Sequence, residues 1–183
     1  MRTSDCDILI MPGLGNSDAT HWQSRWQEKL PTARRVEQAH WDEVHLDDWG
    51  KRLVEATSHS HRPTVIVAHG SAVNVVVHMA KKLDKKIIKG AFFVAPAGSR
   101  FILEHESIDM KLAHLPLDPL PFPSVVLASH SDPHCPILEA EEWAYAWGSA
   151  FADAGDAGHL NSDAGYGPWP EGLMRFAGFL QKL

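Results

Sequence analysis

The sequence predicts a three-layer α/β/α sandwich built on a mainly parallel sheet, and three observations carry that expectation. Short β-branched runs alternate with stretches of helical periodicity along the 183 residues, the pattern that sets helices on both faces of a parallel sheet. Runs such as Thr64 to Ala68 and Val125 to Ser129 are largely apolar, as strands covered on both faces require. The chain also has the length of one ordinary domain and contains no repeat, low-complexity segment or linker, so a single domain over residues 1–183 is expected.

Taken in order, Asp7 to Met11 reads as the first strand and Ala19 to Leu30 as the first helix, with Trp22 and Trp26 one turn apart on one packing face. Arg34 to Gln38, Thr64 to Ala68, Ile88 to Val94 and Val125 to Ser129 follow as strands, with a short last one near Phe151. Helices are expected over Leu46 to His59, Ser71 to Leu83, Pro136 to Ala150 and Pro170 to Leu183. In the fourth of the five helices, Trp143 and Trp147 repeat the packing spacing of the first. Pro96 to Pro123 is proline-rich and without periodicity. It reads as a long excursion over the carboxyl edge of the sheet, where open α/β sheets bind their ligands.

Composition excludes several function classes. The formal net charge is -6, whereas nucleic-acid surfaces need clustered cations. The one basic run, Lys81, Lys82, Lys85 and Lys86, surrounds Asp84 and reads as a solvated helix end. The apolar run Ile8 to Met11 is too short for a signal-peptide core, and no later run is long enough for a membrane span. A soluble, cytoplasmic protein is expected, with no nucleic-acid or membrane partner. Cys6 and Cys135 have no finger or redox spacing, so no disulfide is expected.

The chemistry is carried by four segments. Thr64-Val65-Ile66-Val67-Ala68-His69-Gly70-Ser71-Ala72-Val73 is an apolar strand running directly into an apolar helix. A nucleophile elbow forces its apex residue into a strained conformation and needs small residues two before and two after it. With Gly70 at the apex these are Ala68 and Ala72; with Ser71 they are His69 and Val73. Sterics favour Gly70, a residue that adopts positive φ without cost, but the turn then lacks its hydroxyl. Ile10-Met11-Pro12-Gly13-Leu14-Gly15-Asn16 is a strand ending in a glycine-rich loop. In this arrangement, the amides of Leu14 and Ser71 are the expected oxyanion donors. No Lys and Ser/Thr pair follows the glycines as a phosphate loop would require.

Asp132, in Ala128-Ser129-His130-Ser131-Asp132-Pro133-His134, stands just beyond a strand. His159, in Asp156-Ala157-Gly158-His159-Leu160-Asn161, lies on a small-residue loop near the end of the chain. Alone, each is most simply a turn aspartate and a loop histidine. Together they give the apex, acid and base in the chain order of a Ser-Asp-His hydrolase. His159 would act as base and Asp132 would orient it. His69 and Trp169, the latter beside the His159 loop, are expected to line the pocket.

Through these residues the chain resembles the small serine hydrolases of α/β-hydrolase fold that include retinoblastoma-binding-protein-like and YdeN-like proteins. The likeness runs through Pro12-Gly13-Leu14-Gly15, His21-Trp22, Trp26, Val67-Ala68-His69, Ser131-Asp132-Pro133, Ala157-Gly158-His159-Leu160-Asn161 and Gly165-Tyr166-Gly167-Pro168-Trp169-Pro170-Glu171-Gly172. It implies a compact, lidless hydrolase in which Asp132 and His159 match the triad acid and base. Where the family would read A-H-S-x-G, this chain has Ala68-His69-Gly70-Ser71-Ala72.

Two function classes follow. One is a hydrolase of small esters or amides, using either Ser71 as a displaced fallback nucleophile or a water activated by His159. The other is a non-catalytic module that keeps the pocket to bind a small ligand or a protein. No cofactor is expected. A metal site at His130, Asp132, His134 and Cys135 is the weaker alternative, because these residues match no recognised ligand spacing.

Overall fold

The computed structural model describes residues 1–183. Six strands form one sheet: β1 (Asp7–Met11), β2 (Ala33–Arg35), β3 (Thr64–Gly70), β4 (Ile88–Pro96), β5 (Ser124–Ala128) and β6 (Ala150–Asp153). Their order is β2-β1-β3-β4-β5-β6 and every neighbouring pair is parallel. The helices are α1 (Trp22–Lys29), α2 (Leu46–Ser58), α3 (Ser71–Met79), α4 (Ser99–Glu104), α5 (Ile137–Trp147) and α6 (Pro170–Gln181).

Alternation along the strands divides the core in two. Leu9, Met11, Ile66, Ala68, Phe93, Val126 and Ala128 face a layer that includes Leu53 of α2, Val73 and Val76 of α3, and Trp143 and Trp147 of α5. Ile8, Ile10, Val65, Val67, Phe92, Val94 and Leu127 face Trp22 and Trp26 of α1 and Phe176 and Leu180 of α6. β3 is buried at all seven positions, which explains its unbroken apolar run: a central parallel strand has no solvent face. The three-layer architecture is the one expected.

Several boundaries differ from expectation, for local reasons. The first helix starts at Trp22 because the Asp18 carboxylate accepts from the amides of Thr20 and His21, holding a turn where helix was expected. α5 stops at Trp147 because Gly148 adopts a left-handed conformation (φ 68°) that closes the helix. Ser71 to Leu83 is α-helical only to Met79 and tightens into a 3₁₀ turn at Ala80–Lys82. The Pro96 to Pro123 excursion is more regular than its composition indicates, containing α4 and a 3₁₀ turn at Met110–Ala113. Asn74 anchors it by donating to the carbonyls of Ala97 and Leu112. No helix is long and apolar enough to cross a membrane.

Candidate active site

At the end of β3, Gly70 takes φ 59° and ψ -135° and caps α3. Gly70, rather than Ser71, therefore forms the apex of the strand-to-helix turn. Ala68 and Ala72 are fully buried on either side of it, as close approach of strand and helix demands. A Cβ built on Gly70 would lie 3.3 Å from His159 Nε2, its nearest neighbour.

The loops that carry Asp132 and His159 are stitched together by hydrogen bonds from backbone amides. The amide of Ala157 donates to Ser129 Oγ at 2.8 Å, the amide of Gly158 to Ser131 Oγ at 3.0 Å, and the amide of His130 to the Gly155 carbonyl at 2.9 Å. This brings His159 Nδ1 to 3.0 and 2.9 Å from the two oxygens of Asp132. The Asp132 side chain is 2% exposed, and its carboxylate also accepts from the His134 amide at 2.8 Å. An acid so enclosed fixes both the tautomer and the plane of the imidazole. Nε2 is thereby left facing Gly70 with no protein hydrogen-bond partner.

The Leu14 amide is not free, contrary to its expected place facing the pocket. It donates to Ser71 Oγ at 3.0 Å. The loop passes this close because residue 13 is glycine: a Cβ there would fall 2.9 Å from the His69 carbonyl oxygen. Ser71 Oγ makes no bond to His159, so the structure does not bring together the hydroxyl and the imidazole that a displaced nucleophile would need. His69 lies in the lining of the cleft, and its Nε2 donates to the His159 carbonyl at 2.8 Å. Trp169 does not. The residue is 6% exposed, and its ring packs against Trp22 and Trp26 at 5.1 and 6.1 Å, inside the core under α6.

These groups open onto a cleft of about 400 Å³ lined by Leu14, His21, His69, Gly70, Ser71 and His159, with Ala97, Phe101, His105 and His134 from the excursion and the β5–α5 loop. No lysine or arginine lines it, while Asp18 and Asp163 do. Asp18 is held in its ionised form by bonds from Ser162 and Thr20. Burial pushes His21 from 6.5 down to about 4, aided by its neighbour His159, and holds His69 far below the usual range. His21 Nδ1 accepts from the Gln23 amide at 3.1 Å, a bond that protonation would break.

The folded protein thus keeps these rings neutral at pH values where an unfolded chain protonates them. Between about pH 6.5 and 4 the unfolded state binds more protons, and stability falls as pH drops through that window. Urea unfolding at pH 7 and pH 4.5 should reveal a loss of roughly 2 kcal/mol from His21, and His21→Asn should flatten that dependence.

The four residues of the alternative metal site point to separate partners. His130 Nε2 bonds Asp153 at 2.8 Å, Asp132 bonds His159, His134 packs on Phe101 at 4.2 Å, and Cys135 is a buried thiol. No three His, Cys, Asp or Glu side chains converge as a metal site requires. Sequence reasoning missed the groups that hold the site: Ser129 and Ser131, and Trp22, whose Nε1 donates to the Leu160 carbonyl at 2.8 Å. The serines at three and one positions before Asp132 carried a local signal; the tryptophan carried none beyond its helical spacing.

A parallel sheet, a glycine-apex elbow and an Asp-oriented histidine at its carboxyl edge define a protein of the α/β-hydrolase class. The chain belongs to the serine hydrolase family, whose model matches residues 8–178. It is 33% identical to a YdeN-like hydrolase from Pectobacterium atrosepticum, over 97% of this chain and 91% of that one, with a TM-score of 0.84. The ydeN gene product of Bacillus subtilis shares the fold at 16% identity over 96% and 99% of the two chains, with a TM-score of 0.76. An esterase domain from a Rhodothermus marinus protein shares it at 11% identity over 95% and 85%, with a TM-score of 0.69. No curated protein matches the chain in sequence.

Proposed function

We propose that this chain hydrolyses small esters or amides in the cleft above Gly70, with water replacing the serine hydroxyl that the family carries at the elbow. His159 Nε2 takes the proton of that water as it attacks the carbonyl carbon and returns it to the departing alkoxide or amine. Asp132 holds the ring and stabilises the imidazolium that forms between the two steps. The observation that carries this reading is the open Nε2, aimed at the apex and 3.3 Å from the place of a missing Cβ. General-base assistance of this kind is worth about 10²–10⁴-fold, so turnover should be slow beside a serine enzyme.

A second reading, a non-catalytic binding module for a small ligand or a protein, is favoured by Gly70 itself. Steady-state hydrolysis of p-nitrophenyl acetate by the native protein and by His159→Gln separates the two. The hydrolytic reading expects the native rate to exceed that of the variant by 10²-fold or more, with no acyl-enzyme in the intact mass. Equal rates would leave the binding module.

A further inference from the structure

We infer that Ser71 supplies an oxyanion donor through its side-chain hydroxyl, which the Leu14 amide holds in place. The inference rests on the hydrolytic reading above. The Leu14 N–H, donated to Ser71 Oγ at 3.0 Å, is used up within the protein. Oγ is therefore an acceptor, and its own hydrogen has no acceptor in the protein. A serine in a helix commonly donates to the carbonyl four residues back. Ser71 is the first residue of α3, so residues 67 and 68 lie in β3 and no preceding helical turn offers it such a carbonyl. Ser71 is 3% exposed and lines the cleft, so an unspent hydroxyl donor is left at its wall.

Two further features suit that donor to a developing negative charge. Accepting a bond from an amide polarises the hydroxyl and strengthens it as a donor. The amide of Ser71 itself lies in the first turn of α3, where helical N–H groups lack intrahelical acceptors and the helix dipole is positive. The same bond argues against Ser71 as a nucleophile, since a lone pair of Oγ is committed and no base touches it.

In the step itself, the water oxygen bonds to the carbonyl carbon, and its proton passes to His159 Nε2. The π pair of the carbonyl moves onto its oxygen, which accepts from the Ser71 hydroxyl and amide. Collapse reforms the carbonyl and expels the leaving group, which takes the proton from His159. Loss of one such donor costs about 10²–10³-fold in kcat, because the bond tightens only as charge develops.

The test compares the native protein, Ser71→Ala and Ser71→Thr for kcat, KM and inhibition by a methylphosphonate monoester, an anionic tetrahedral analogue. Ser71→Ala should lose about 10²-fold in kcat with little change in KM, and a similar factor in analogue affinity. Ser71→Thr, which keeps the hydroxyl, should recover most of both. Unchanged or raised kcat in Ser71→Ala would overturn the inference, since the Leu14 amide freed by the substitution would then serve as the donor. If native turnover proves independent of His159, the hydrolytic reading fails by itself. The donor is then read in a Gly70→Ser background, where adding Ser71→Ala should slow fluorophosphonate labelling about 10²-fold, and an unchanged labelling rate refutes it.

Discussion

Gly70→Ser is expected to turn a protein inert to fluorophosphonates into one that labels at residue 70 and hydrolyses p-nitrophenyl esters about 10³-fold faster or more. The expectation follows from what is already in place. A serine Cβ would lie 3.3 Å from His159 Nε2, a contact that asks the ring to give by a few tenths of an ångström, and the imidazole is already oriented by Asp132. Losing the nucleophile of an assembled triad costs orders of magnitude, so restoring it within an intact frame should return much of that. The substitution puts a side chain at φ 59°, which should lower stability by about 1–3 kcal/mol. A faster enzyme that melts earlier is therefore the expected pair of results. Intact-mass labelling of the native protein that vanishes in Ser71→Ala would show instead that the elbow uses a displaced serine.

Trp169→Ala should produce the largest loss of stability, about 3–5 kcal/mol as expected for truncating a buried aromatic, and lower the melting temperature by about 10 °C or more. The ring is enclosed by Trp22, Trp26 and Tyr166 at 5.1, 6.1 and 5.7 Å. Gly172, in the first turn of α6, lacks the Cβ that would collide with the Trp169 ring. A residue at the pocket mouth would behave otherwise, changing KM at constant stability. Because Trp22 also holds the Leu160 carbonyl beside His159, some loss of kcat should accompany the lower melting temperature.

The burial of Trp169 has a plain cause. It stands between two prolines and ten residues after His159, yet closeness in sequence to a site residue is not closeness in space. The loop turns back on itself, with Asn161 accepting from Ala164 and Tyr166, and the chain then enters the core rather than the cleft. Helical spacing, by contrast, did reveal the fate of Trp22, Trp26, Trp143 and Trp147, all of them buried. A one-turn repeat of large aromatic rings on one helix face leaves few destinations other than the sheet.

The amino-acid sequence by itself determined the parallel sheet with helices on both faces, the glycine apex between two alanines, and the order of Gly70, Asp132 and His159 at successive strand ends along the chain. Each of these is a local matter, set by side-chain period, by Cβ sterics or by position at a strand end. Only the tertiary structure decided that Ser71 Oγ holds the Leu14 amide across 57 residues, that Ser129 and Ser131 join the Asp132 and His159 loops, and that His21 and His69 lie buried beside His159. These depend on which loops meet at the carboxyl edge once the strands are in order, and the hydrogen bonds that decide it link residues with no pattern in common along the chain.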